Sequence, residues 1–297
     1  MKTLSFHDEI KRNKIKSVAL IFIVIVFAVL TAWFIGVIYD PAYIPVFLFF
    51  GGLFVIVQSL VSYYKGDKIV LKITGAKPAN KREHQRLMNL VDGLSLAAGI
   101  PMPKVYVIPS KDMNAFATGR DPEHASIAVT QGLLDNLNKV ELEGVLAHEM
   151  SHIKNYDIKF ATLVAVLVGL VSIISSIFLR SMWFSGGRRR DNDAGAILLI
   201  IGIAFMVLAP IATTLVQLAI SRKREYLADA SGAKLTRYPD GLASALEKIS
   251  KTNKNRMKVP KAVSHIFFVN PLKKSNLKQL MSTHPPAQER IAKLRAM

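Results

Sequence analysis

The chain has 297 residues, 51% of them hydrophobic, a mean hydropathy of +0.30 and a formal net charge of +18. That length suits one or two domains, and the apolar content is high for a soluble globular protein. Cysteine is absent, which excludes disulfides and thiolate metal sites and leaves histidine and carboxylates as the ligand types on offer.

The first elements are apolar. Ser17–Ile38 and Ala42–Tyr64 contain no charged residue, nor do Phe160–Leu179 and Ala194–Ile220 further on. Each run reaches the ~20 residues that cross a hydrocarbon core, where a buried core helix is usually shorter and carries polar positions. The first run is too long for a signal-peptide apolar segment and is followed at once by a second, so it is expected to stay as an anchor. Lys2, Lys11, Arg12, Lys14 and Lys16 precede it, the turn at Asp40-Pro41 carries no Lys or Arg, and Lys65 and Lys68 follow the second run. The positive-inside rule then puts the N-terminus and everything after Lys65 in the cytoplasm. The last stretch, 221–297, holds seventeen Lys and Arg against five Asp and Glu. No nucleic-acid-binding motif accompanies that charge, so an anionic inner leaflet is the expected partner and nucleic acid is not.

Residues 65–158 read as a water-exposed stretch. Lys81–Ala98 has the spacing of an amphipathic helix, with Leu87, Leu90, Val91, Leu94 and Ala97 on one side. Val105–Ile108 and Ala125–Thr130 read as short strands, with Asn114–Gly119 between them as either an edge strand that an extended peptide could join or an ordinary loop–strand junction. Asn138, with Glu141 three residues later, is a helix N-cap with a capping box. On the helix so started lies His148-Glu149-Met150-Ser151-His152. Positions i and i+4 share a helix face, so both imidazoles can hold one Zn²⁺ while Glu149 takes a proton from a water. The competing reading is a surface helix with two solvated histidines.

A third ligand is to be sought past the second apolar pair. Glu225 and Asp229 are again i and i+4, on a probable helix after Ile220. Glu225 as ligand, with Asp229 accepting the free ring N–H of a ligand histidine, would complete a His₂Glu site. The alternative is a charged helix whose acids balance Arg222 and Arg224. If Glu225 shares a metal with His148 and His152, the intervening chain crosses the bilayer an even number of times. Arg188–Arg190 in the loop between the runs opposes this, so the pair either spans or packs partly against protein. Two true spans are the expectation, given their lengths. His152 lies eight residues before Phe160 and Glu225 five after Ile220, which would put the site within about 10–12 Å of the membrane boundary.

With these residues assembled, the chain resembles the HtpX group of the M48 metallopeptidases, relatives of the Ste24 CAAX proteases. The resemblance runs from the N-terminal hairpin to the end. It rests on Asn114–Gly119 (NAFATG), His148–His152 with Asn155 and Asp157 just after, Ser221–Asp229 (SRKREYLAD) and Ser282–Pro286 (STHPP). It implies a mainly α fold with a small β-sheet, in which integral membrane helices join a zincin-like catalytic domain. It also implies one Zn²⁺ per subunit held by His148, His152 and Glu225. The expected organisation is a transmembrane hairpin at 1–64, catalytic parts at 65–158 and 221–297, and a hydrophobic helical hairpin at 159–220. The expected activity is zinc-dependent cleavage of misfolded or juxtamembrane segments of membrane proteins, or of unfolded polypeptides, at the cytoplasmic side of the inner membrane. The Ste24 branch typically has seven spans and this chain has room for four at most, which weakens prenyl-protein processing as its role.

Glu149 is the expected general base, and Asp229 supports a ligand histidine. His284, just before a Pro-Pro pair, is the candidate partner for the oxyanion, and Arg222 a weaker one. Asn114, Ala115, Phe116 and Ala117 are expected to bind substrate as a strand. His7, His84, His124 and His265 lack ligand spacing and read as bystanders, and Lys251–Lys261 as a basic loop. The main competing function is a non-hydrolytic zinc-binding membrane scaffold or chaperone. A structural zinc site closes its fourth position and needs no base such as Glu149.

Overall fold

The computed structural model describes residues 41–167, 222–252, 257–271 and 285–297, with isolated positions between 15 and 33. The fourth apolar run, Arg188–Arg190 and His284 lie outside the described residues, as do most of the first run and residues 168–179 of the third.

A short 3-10 turn, Pro41–Tyr43, leads into α1, Ile44–Ile73. Its 30 residues make a rod about 45 Å long. Its most apolar window holds no buried residue, and Phe49, Phe50, Phe54 and Ile56 are more than half accessible. The helix does not stop at Tyr64 as the apolar run suggests. It continues nine residues because Val70 and Leu71 are apolar and bury against the sheet.

β1 (Lys77–Pro78) precedes α2 (Gln85–Ala98), which starts later than the expected Lys81. There the Asn80 side chain accepts the Arg82 N–H, and the His84 N–H returns to the Asn80 carbonyl, forming a turn that competes with helix. β2 (Lys104–Ile108), β3 (Ala115–Gly119) and β4 (Ala125–Thr130) complete a four-stranded sheet in the order β1-β2-β4-β3. β2 and β4 are parallel, and the other pairings are antiparallel. Alternation divides the sheet cleanly. Val105, Val107, Ala115, Ala117, Ile127 and Val129 join one core, while Ile108, Phe116 and Ala128 face the end of α1 in another.

α3 (Gln131–Asn136) leads to α4 (Lys139–Lys154), where the expected capping box is present: Asn138 accepts the Glu141 N–H and Glu141 accepts the Asn138 N–H, both at 2.9 Å. α4 is the centre of the body and packs on α2, β3 and both helices that follow Arg222. Tyr156, with φ of +60°, breaks it from α5, residues 157–167. Phe160, Leu163, Val164 and Ala165 on α5 are buried in protein. The third apolar run therefore begins as core, because its first two turns cover α1 and the sheet rather than meeting lipid. The boundary expected near 158 falls inside α5.

α6 (Arg222–Thr236) and α7 (Pro239–Thr252) close the other side. α6 passes so near α4 that a Cβ at Gly232 would stand 3.1 Å from the His148 amide nitrogen, and one at Gly144 would meet the Leu242 nitrogen of α7 at 2.7 Å. A 3-10 stretch, Lys261–Ile266, crosses in front of β3, and α8 (Ala287–Arg295) packs on α6 and α7.

Candidate metal centre

His148 and His152 project from one face of α4, and Glu225 reaches them from α6. Their ligand atoms all lie within 4.8 Å of one another. The two Nε2 atoms are 3.1 Å apart, and Glu225 carboxylate oxygens lie 3.8 and 3.7 Å from them. A tetrahedral zinc with ligand bonds near ~2.1 Å needs ligand atoms roughly 3.4 Å apart, so the triangle fits.

The ring orientations are set from behind. His148 Nδ1 donates to Asp229 Oδ1 at 2.9 Å, and His152 Nδ1 donates to Asp157 Oδ2 at 2.9 Å. Both Nε2 lone pairs are thereby turned to the shared point, where they repel unless a positive charge stands between them. Asp229 is where the i, i+4 reading places it. Asp157 has no helical spacing to His152 that would mark it as its partner. The left-handed turn at Tyr156 brings it back beneath His152.

Burial and charge act strongly here. Loss of solvent lowers His148 to about 4. For His152, burial opposes protonation, but the Asp157 hydrogen bond and the Glu225 charge outweigh it and raise the group to about 9. Burial, reinforced by Glu225, raises Glu149 to about 7. Glu149 is 2% exposed beside the ligands, and its carboxylate takes a hydrogen bond from the Ala117 backbone. Such a carboxyl, poised near neutral pH, suits proton transfer.

Two cations that spacing did not reveal complete the site. Arg290 of α8 is 2% exposed and grips Asp229 with two hydrogen bonds, 2.8 Å from Nε and 2.6 Å from one terminal nitrogen, while its other terminal nitrogen lies 3.7 Å from Glu225. Burial works against ionisation of Asp229, yet Arg290 and His148 hold its carboxyl below the ordinary value. Arg224 pairs with Asp157 at 2.9 Å. Four buried carboxylates (Glu149, Asp157, Glu225 and Asp229) thus face two buried guanidinium groups. A divalent cation at the shared point would meet the Glu225 carboxylate and the lone pairs of both imidazoles.

β3 is the edge strand of the sheet and borders the cleft at Ala117, as the NAFATG segment suggested. Its outer edge is less open than expected. The Ala115 carbonyl accepts the Phe268 N–H at 2.8 Å, Asn114 exchanges two hydrogen bonds with Val269, and the Gly119 N–H reaches Thr162 Oγ1. Phe116 turns away from the cleft and stacks on Phe267. Phe268 stacks edge-on against His148, with the Arg290 guanidinium over its other side. His265 lines the cleft and donates to the Ala161 carbonyl, so it is part of the site wall rather than a bystander. Arg222 is exposed and does not line the cleft; one residue pair further along the helix, Arg224 does. The helical phase of α6 decides this, since Arg224 and Glu225 face inward.

The profile of peptidase family M48 matches residues 81–297. A protease HtpX homolog of Dictyoglomus turgidum is 43% identical over the full length of this chain and 96% of its own. One of Thermoanaerobacter pseudethanolicus is 49% identical over 82% of this chain and 83% of that protein, and one of Tropheryma whipplei 41% over 97% of each. The crystal structure of S. mikatae Ste24p aligns with a TM-score of 0.48 at 22% identity, covering 95% of this chain and 65% of that one. The chain belongs to peptidase family M48, as a zinc metallopeptidase homologous to the HtpX proteases.

Proposed function

We propose that this metallopeptidase sits in a membrane and cleaves unfolded or juxtamembrane polypeptide segments next to the cytoplasmic face, with one zinc ion per chain on His148, His152 and Glu225. The observation that carries the membrane placement is α1. No residue of its most apolar window is buried among the described residues, yet its last turns are core of the catalytic body through Val70 and Leu71. An aqueous helix of that composition would be unstable, whereas a bilayer satisfies it.

When bound, the zinc ion supplies a Lewis acid that acidifies a water and polarises the scissile carbonyl. Glu149 accepts the proton and returns it to the leaving amine. Asp229 and Asp157 keep the imidazoles oriented, and Arg290 keeps Asp229 ionised. An extended substrate pairs with the β3 edge at Ala117, whose outward carbonyl has no hydrogen-bond partner among the described residues. Recognition through main chain gives broad sequence tolerance, as a quality-control role demands.

The test is Glu149→Gln in purified, detergent-solubilised protein. Cleavage of an unfolded substrate falls about 10²–10⁴-fold while zinc content is unchanged. Full cleavage by the variant overturns the catalytic assignment. Zinc retained without cleavage by the unaltered chain would favour the scaffold reading instead.

A further inference from the structure

A second cavity, of about 210 Å³, opens where α1 leaves its apolar stretch. Its wall carries Lys68 of α1, Lys104 of β2, Arg120 from the β3–β4 turn and Lys159 of α5. Four elements far apart in sequence thus bring four cations to one hollow. Asp67 is the only acid among the described residues lining it. Asp121 stands behind, held by His124 at 2.6 Å and Arg120 at 3.4 Å. Lys68, Lys104 and Lys159 have no carboxylate partner among the described residues. Like charges held together repel one another, and a bound anion would relieve that repulsion.

The aromatic groups give the level. Tyr63 and Tyr64 end the apolar run, the position of an interfacial aromatic belt. Arg120 lies 5.0 Å from the Tyr64 ring centre and Lys159 5.0 Å from that of Tyr63. These contacts hold two of the cations in place; Arg120 also shares its charge with Asp121, while Lys159 keeps its own for an anion. Ser62, buried on the same wall, adds a hydroxyl.

We propose that this cavity binds a phosphate group, presented by the headgroup of an anionic phospholipid of the adjoining leaflet. The inference rests on α1 lying in a bilayer. It adds to that reading a defined lipid site, built from side chains that take no part in the metal centre. A lipid so held would fix the depth and tilt of the catalytic body against the membrane.

The experiment uses the full chain in detergent, titrated with short-chain phosphatidylglycerol, short-chain phosphatidylcholine or inorganic phosphate, with the unfolding temperature and intrinsic fluorescence as readouts. Phosphatidylglycerol is expected to bind and the other two to bind far more weakly. Lys68→Gln with Lys104→Gln should weaken phosphatidylglycerol about 25-fold, roughly fivefold per charge. Lys81→Gln with Lys139→Gln, an equal charge change at exposed positions elsewhere, should leave it within about twofold. Equal weakening by both pairs, or equal binding of the two lipids, overturns the site. Inorganic phosphate binding as tightly as the lipid overturns the lipid as its source. Retention in carbonate-washed membranes, measured alongside, reports separately on membrane residence: an integral protein that ignores phosphatidylglycerol refutes this inference alone.

Discussion

Arg290→Met tests how the metal centre is held together. The substitution keeps much of the side chain's volume and its contact with Phe268 but removes the guanidinium from between Asp229 and Glu225, both under 10% exposed. Asp229 would then be a buried carboxylate with only the His148 Nδ1–H hydrogen bond beside it among the contacts described above. Removing one partner of a buried ion pair costs about 3–5 kcal/mol, and the two short bonds here argue for the upper half of that range. For a body of this size the unfolding temperature falls by about 6–20 °C. Zinc affinity falls about 10–100-fold, because Asp229 orients His148. Thermal unfolding and zinc content by elemental mass spectrometry are the assays, run also on Asp229→Asn and on the double variant. Loss of both charges leaves no orphan, so the double variant should be more stable than the sum of the single losses predicts by at least about 1 kcal/mol. Strict additivity refutes the coupling, and unchanged zinc affinity in Arg290→Met refutes the positioning role.

Other expectations concern the frame around the ligands. Ala117→Pro removes the amide that donates to Glu149 and stiffens the β3 edge; cleavage should fall at least about tenfold with zinc retained, and equal loss of both would point to misfolding. Gly232→Val forces α6 off the His148 backbone and should cost about 1–3 kcal/mol in thermal unfolding, with zinc affinity falling in parallel. Asn138→Ala opens the capping box at the far end of α4 and should cost about 1 kcal/mol without altering zinc content or turnover. A chelator should abolish cleavage and lower the unfolding temperature, and readdition of zinc should restore both at one ion per chain.

What could be read in advance was local. The His148–His152 pair, the Asn138 cap, the Ala125–Thr130 strand and the Glu225–Asp229 pair all follow from spacing within one or two helical turns or one strand. The bounds that moved did so for tertiary reasons. α1 runs on to Ile73 because Val70 and Leu71 meet a sheet made later in the chain, and protein covers the start of the run from Phe160, as far as Leu167. Hydropathy reports that a segment avoids water and is silent on whether lipid or protein takes its place. The Asn80 turn, which delays α2, was a local signal passed over in favour of the apolar period.

The metal centre divides in the same way. Its ligands were legible because metal chemistry restricts residue type and spacing together. The groups that tune them were not, because an ion pair asks only for opposite charges at a distance the fold provides. Arg290 lies 61 residues from Asp229 and 142 from His148, among seventeen basic residues whose joint signal suggested a membrane surface. A count of charges by sequence segment assigns that excess to one partner. The structure divides it: Arg290 and Arg224 are buried against four carboxylates, while Lys68, Lys104 and Lys159 line a separate cavity beside α1. If α1 lies in a bilayer as proposed, holding a dication in a dry site and binding a lipid headgroup fall to different cations. They can be perturbed one at a time, so a substitution that weakens zinc binding should leave membrane retention untouched, and the reverse.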